Sequence, residues 1–199
     1  MLERGQRLGF LGPLDLEDAV VHARWFARTV STPRSFLDLG SGGGLPGLVL
    51  ALCWPDAHAT LVEAQERRAS FLASAVERLC VASRVRVLRM RAEEAGRDET
   101  WRGVTDLVVA RSFGRPAVTA ECGAPFLRPG GRLVVSEPPV VEQERWVRAG
   151  LEPLGLEPLA TVHIGKGRRE GSYRVLRQQR PCSLRFPRRV GVPAKRPLF

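Results

Sequence analysis

The chain has 199 residues, with 31 Lys and Arg against 21 Asp and Glu, a formal net charge of +10. That length suits one compact domain with a terminal appendage, and a composition 44% hydrophobic and 26% charged excludes wholesale disorder. No run approaches the roughly 18 apolar residues of a spanning helix, and Met1 to Phe10 carry scattered charge, so neither a membrane span nor a secretory signal is expected.

In chain order, Pro13-Leu14-Asp15 opens a helix in which Leu16, Ala19, Val20, Ala23, Ala27 and Val30 recur at helical spacing up to Thr32-Pro33. Short apolar runs then alternate with helical patterns. Strands are predicted at 35–39, 59–63, 84–90, 106–110 and 132–136, and helices at 45–53, 65–79, 116–127 and 140–149. That alternation implies an α/β fold with a parallel sheet covered on both faces. Residues 160–164 and 173–177 flank a Gly- and Arg-rich connection and read as a hairpin closing the sheet edge. The last stretch, 181–199, has four prolines and no periodicity, and is expected to be an extended tail. The domain reading is therefore a helical segment 1–33, a main domain 34–180 and a basic tail 181–199.

The charge is unevenly placed. Residues 165–199 hold eleven basic side chains and one acid, while residues 1–164 hold twenty of each. A concentrated basic segment on a neutral body is the footprint of a polyanion binder. Lys166, Arg168, Arg169, Arg188, Arg189, Lys195 and Arg196 are the candidate RNA contacts. Cys53, Cys80, Cys122 and Cys182 are too scattered for a zinc cluster or a disulfide framework, so no metal site is predicted and a reduced, cytoplasmic setting is expected. Cys122 reads as core. His22, His58 and His163 lack clustered partners and read as structural or surface residues.

The sharpest motif is Asp38-Leu39-Gly40-Ser41-Gly42-Gly43-Gly44-Leu45-Pro46-Gly47, standing between a strand and a helix. Glycines let backbone approach a ligand, and the helix N-terminus offers free N–H groups. Glu63, 23 residues beyond Gly40, ends the second strand, where an acid can bind the two hydroxyls of a ribose. Dinucleotide folds and methyltransferases share this geometry. Asp38 ahead of the glycines repels a pyrophosphate but suits a ligand carrying an ammonium and a sulfonium. S-adenosylmethionine is the expected cofactor, with a dinucleotide as the alternative.

Ala92 and Glu93, after the third strand, are candidates for the adenine edge. Arg111 ends the fourth strand, where open α/β sheets act on ligands. The residues after that strand, Arg111-Ser112-Phe113, do not supply the N/D-P-P-Y/F motif used on exocyclic amines, and no cysteine nucleophile is evident. A ring nitrogen such as guanine N7 needs neither, only alignment with the methyl group.

These residues resemble the bacterial small-subunit ribosomal RNA methyltransferase G family, which makes 7-methylguanosine in 16S rRNA. The likeness rests on Leu8-Gly9-Phe10-Leu11-Gly12-Pro13, on the glycine motif, and on Leu61-Val62-Glu63-Ala64 with Arg67-Arg68-Ala69-Ser70-Phe71-Leu72. Arg91-Ala92-Glu93, Ala110-Arg111-Ser112-Phe113 and the closing run from Phe186 to Leu198 complete it. The resemblance implies a class I, Rossmann-like S-adenosylmethionine-dependent methyltransferase fold with an antiparallel last strand. It implies donor contacts by Gly40, Leu45, Ala92, Glu93 and Arg111; Asp38, Gly42, Gly44 and Glu63 join them on the residue reading, and Arg111 is the candidate catalytic residue. The family's Lys-Gly after the fifth strand is replaced by Ser136-Glu137, and its Arg before the last strand falls on Gly171. The expected function is methyl transfer to guanine N7 of 16S rRNA, the partner being free rRNA or the small ribosomal subunit, with no membrane and a monomeric protein. The rivals are the same donor site with another RNA or a small molecule, and a non-catalytic RNA-binding or assembly factor.

Overall fold

The computed structural model describes residues 1–13, 15–138, 144–166 and 169–199. Strand β1 (Ser35–Leu39) sits between β2 (His58–Val62) and β4 (Thr105–Ala110), parallel to both, with β3 (Val85–Leu88) outside β2 and β5 (Leu127–Glu137) outside β4. Strand β7 (Arg169–Gln178) inserts antiparallel between β5 and the edge strand β6 (Leu156–Lys166), giving the order β3-β2-β1-β4-β5-β7-β6. The expected hairpin is present, and its second strand lies inside the sheet.

Consecutive apolar residues in the central strands are buried because both faces are covered. Phe36, Leu61, Leu107 and Val109 face a layer made by α2 (Leu16–Phe26), α3 (Gly47–Cys53) and α4 (Glu66–Arg78). Leu37, Leu39, Val108, Ala110 and Leu133 face the other layer, with α5 (Ala92–Ala95), α6 (Pro116–Gly123) and α7 (Arg148–Leu151). A short α1 (Leu2–Arg7) precedes these, and α8 (Val192–Lys195) follows them. The chain runs from β1 outward to β3 and then returns to β4 on the other side of β1. The switch point between β1 and β4 opens a crevice at their carboxyl ends.

Three expectations are corrected. The first long helix stops at Phe26 rather than reaching Val30, where the Thr29 hydroxyl donates to the Phe26 carbonyl at 2.8 Å and competes with the next helical bond. Of the helix predicted at 140–149, residues 140–143 lie outside the described residues. Residues 144–147 are not helical, because Glu144 accepts from the Trp146 backbone N–H and the Arg145 and Trp146 side chains are fastened to Glu137. The largest correction concerns 181–199, which is folded onto the second core layer. Cys182, Phe186 and Pro193 are buried there. Arg102 donates to the carbonyls of Cys182, Ser183 and Phe186, and Arg97 to that of Pro187.

Candidate active-site crevice

The turn after β1 is shaped for close approach. Gly40 has φ +74°, in the left-handed region, and a Cβ there would stand 2.6 Å from the Phe113 ring. At Gly47 a Cβ would lie 2.4 Å from the Asp38 carboxylate. Gly47 donates its N–H to Asp38 Oδ2 at 3.0 Å, tying the helix start to the strand end. Gly44 donates to the Ser41 carbonyl at 2.7 Å, and Leu45 packs with Ala19 and Ala23 of α2. The side chain of Leu45 thus joins the N-terminal helix to the turn, leaving its backbone for any ligand.

Asp38 is buried, and its carboxyl is pushed up to about 7 by burial, against the opposing pull of Ser41, the Gly47 N–H and Arg111. Glu63 is also buried, but its two oxygens are oriented by backbone. One accepts from Gly42 N–H at 2.9 Å and the other from Gln65 N–H at 2.8 Å. Each oxygen keeps a further lone pair for a ligand hydroxyl. Ala92 is buried at the start of α5, and Glu93 accepts a 3.0 Å hydrogen bond from the Gly191 N–H of the folded C-terminal segment. The structure therefore gives Glu93 a partner that the sequence reading did not foresee.

Arg111 leaves β4 directly opposite the glycine turn. Its Nη1 is buried and has no hydrogen-bond partner, an arrangement that costs free energy unless an anion meets it. Burial depresses its pKa, while Tyr173 and Asp38 raise it. Arg111, His22, Phe26, Ser136, Glu137 and Tyr173 line a cavity of about 330 Å³ between α2 and the ends of β4, β5 and β7. A second cavity of about 330 Å³ shares Ser112, Ser136 and Glu137 with it. The Tyr173 hydroxyl donates to the His22 carbonyl at 2.8 Å, and the imidazole is held below its ordinary value by burial and then by Arg111. His22 thus lines the wall of the Arg111 cavity, a position its sequence neighbours do not reveal. Ser112 has φ +54°, an unusual conformation for a residue with a Cβ, and it sits at the junction of the two cavities.

The unpartnered Arg111 Nη1, the oriented Glu63 carboxylate and the glycine turn fit a ligand with an anionic group and a ribose. The family described as rRNA small subunit methyltransferase G matches residues 11–148. A ribosomal RNA small subunit methyltransferase G of Chloroflexus aggregans is 38% identical over 172 residues, covering 84% of this chain and 71% of the relative. The one from Parasynechococcus marenigrum is 34% identical over 174 residues, covering 86% of this chain and 70% of the relative. The chain belongs to this family. Among solved structures, the O-methyltransferase TomG from Streptomyces achromogenes, in complex with SAM, superposes with a TM-score of 0.62 over 89% of this chain and 87% of that one. At 19% identity that likeness establishes the fold alone.

Asp38, Gly40, Gly42, Gly44, Leu45, Glu63, Ala92, Glu93 and Arg111 all fall inside the family match; the C-terminal cations lie beyond residue 148. Those cations divide into two groups. Arg188 forms a two-point ion pair with the buried Glu121 carboxylate, Nε to Oε1 at 2.8 Å and Nη2 to Oε2 at 2.6 Å. Arg169 is held by Asp18 at 2.6 Å and Glu17 at 3.7 Å. Both were candidate RNA contacts, and the fold uses them internally. Lys166, Arg189, Lys195 and Arg196 are exposed with no ion pair among the described residues, and Arg168 lies outside those residues. No helix among the described residues is long and apolar enough to cross a membrane.

Proposed function

We propose that this protein transfers a methyl group from S-adenosylmethionine to N7 of a guanine in 16S ribosomal RNA. The observation that carries the reading is the glycine turn bonded through Gly42 to Glu63, with the unpartnered Arg111 Nη1 at the sheet's switch point, in a chain of the rRNA small subunit methyltransferase G family. When bound, the donor would supply an electrophilic methyl group on a cationic sulfur and would leave as the neutral thioether once its methyl carbon had passed from the sulfur to the guanine N7.

Glu63 binds the ribose hydroxyls through lone pairs that its two backbone hydrogen bonds leave free. Backbone groups of Gly40, Gly42, Gly44 and Leu45 line the donor, and Ala92 and Glu93 flank its adenine. Arg111 meets the donor's carboxylate with the Nη1 that nothing in the protein satisfies. Asp38 provides compensating negative charge beneath the cationic amino-acid end. The cavity lined by His22, Phe26 and Tyr173 receives the base next to Arg111. An N7 lone pair needs no general base, so the protein's contribution is alignment, which alone supplies roughly 7–11 kcal/mol of barrier lowering in well-oriented reactions. Lys166, Arg189, Lys195 and Arg196 are proposed phosphate contacts, and the small-subunit rRNA, free or assembled, is the proposed partner.

The test incubates the purified protein with isotopically methylated donor and unmodified 16S rRNA, followed by mass mapping of the nucleosides. Label in 7-methylguanosine at a single site is the expected result. Label in another nucleoside, or in another RNA, would correct the substrate; Glu137, standing where the family has a Lys-Gly, marks that as the place to look. No transfer with intact donor binding would favour a binding protein that has kept the fold.

A further inference from the structure

Helix α4 starts three residues after Glu63, at the rim of the crevice, and its outward side carries Arg67, Ser70, Ser74 and Arg78 at helical spacing, all exposed, with the exposed Glu77 beside the last. Helix α1 lies against its far half, where Gly5 is so near Phe71 that a Cβ would stand 3.1 Å from the ring. Arg4 and Arg7 of α1 face Ser74 and Arg78 of α4 across a cleft of about 180 Å³ whose only acidic lining residue is Glu3. At the rim end, the Arg68 guanidinium lies 5.9 Å from the Phe10 ring centroid, and its Nε is buried without a hydrogen-bond partner. Glu66, the acid closest to this end, is already paired with Arg89 at 2.9 Å.

Several arginines elsewhere in the chain are already paired with acids. Arg128, Arg145, Arg169, Arg174, Arg177 and Arg188 all hold carboxylates of the protein itself. Arg4, Arg7, Arg67, Arg68 and Arg78 hold none among the described residues. A row of free guanidinium forks interleaved with serine hydroxyls, beginning at the active-site rim and running about 16 Å along a helix, matches a chain of phosphates.

We propose that this α1–α4 face grips the phosphate backbone of the RNA strand that delivers the target guanine to the crevice. The inference rests on the rRNA reading above and adds a second phosphate-binding face to the C-terminal cations proposed there. The charge count of the sequence points to the C-terminal segment, whereas the folded molecule also brings together five arginines without an ion pair among the described residues on the opposite layer of the sheet.

The test compares three full-length proteins for binding to a 16S rRNA transcript across a salt series: wild type, R4Q/R7Q/R67Q/R78Q and R189Q/K195Q/R196Q. Each phosphate contact on a flexible strand contributes about 0.7 to the slope of log K against log salt. The first variant set is expected to flatten that slope by about 2 to 3 and to weaken binding at least about tenfold near 0.1 M salt. KM for RNA rises while donor affinity and kcat at saturating RNA hold, which shows that the crevice is intact. Arg→Lys at the same four positions retains the wild-type slope. An unchanged slope in the first set overturns the proposal, as does a loss seen only in the second set. A loss confined to assembled subunits, absent with naked rRNA, would also overturn it and assign the face to a ribosomal protein. Wild type that binds no RNA at all refutes the rRNA reading itself, an outcome distinct from a failure of the variant alone.

Discussion

Asp38 and Arg111 meet under the glycine turn, and burial disfavours the charged form of each. Asp38 has its carboxyl raised to about 7 because burial disfavours the anion more than its hydrogen bonds and Arg111 favour it. For an acid so raised, the stability that Asp38 contributes to the unliganded protein is fully present below the ordinary Asp range, near 4, and is lost as pH climbs through about 7. A cationic ligand favours the carboxylate, so donor affinity should rise from about pH 5.5 to about 7, below the range in which an amino group titrates. Calorimetric titration across that range checks this. Asp38→Asn, which keeps an acceptor for Gly47, should bind with a flatter profile, and an identical profile in both proteins would exclude Asp38 from the linkage. Arg111 has no hydrogen-bonding partner at Nη1 to lose. Arg111→Ala should therefore leave the melting temperature nearly unchanged. Donor affinity should drop by the value of a charged hydrogen bond, about 1.5–3 kcal/mol or roughly 10- to 150-fold. Unaltered donor binding by this variant would remove Arg111 from the site.

Among the elements, the C-terminal segment departs most from what its residues suggest in isolation. Its four prolines and missing periodicity read as an extended tail. In the fold, Phe186 fills the second core layer, and Phe199 lies against Gly150 so closely that a Cβ there would overlap the ring. The reason is non-local. The partner of Arg188 is Glu121, 67 residues earlier and fully buried in α6. No window of sequence around either residue reveals the pair. Because removing one member strands the other charge, Arg188→Ala should destabilise the protein by about 3–5 kcal/mol, read from urea unfolding, with donor contacts in the crevice left intact. A change under about 1 kcal/mol would mean that Glu121 finds another partner or a proton. Deleting residues 181–199 should likewise lower stability outright, by exposing Phe186 and freeing the Arg102 guanidinium, rather than only weakening RNA binding. Helix ends follow the same pattern. Thr29 ends α2 early through one local hydrogen bond, and Glu137 holds the stretch before α7 out of helix through Arg145 and Trp146.

For the molecule as a whole, a ligand that binds only the folded state stabilises it by mass action. Donor at a hundred times its dissociation constant should add about 2.7 kcal/mol. For a chain of this size that is a rise of roughly 5–10 °C in melting temperature. Thermal scans with increasing S-adenosylmethionine check this, and a melting point indifferent to the donor at saturating concentration would contradict the site as described. The covered parallel sheet and the ligand-binding turn at its first strand were legible in the sequence, while the order of its strands was not. Five apolar runs alternating with amphipathic helices dictate a two-layered parallel sheet, and Asp38 to Gly47 with Glu63 mark its ligand end, because each signal sits within a few residues of itself. What only the tertiary structure decided is which charges are free. A count along the chain places the surplus in residues 165–199, yet pairing with Asp18, Glu17 and Glu121 consumes part of it, while Arg4, Arg7, Arg67, Arg68 and Arg78, scattered in sequence and without an ion pair among the described residues, come together on α1 and α4. His22 reached the wall of the Arg111 cavity in the same way, carried there by α2 packing across β7. Local patterning is set by neighbours in sequence, while the availability of a charge depends on partners that only folding brings within a few ångströms.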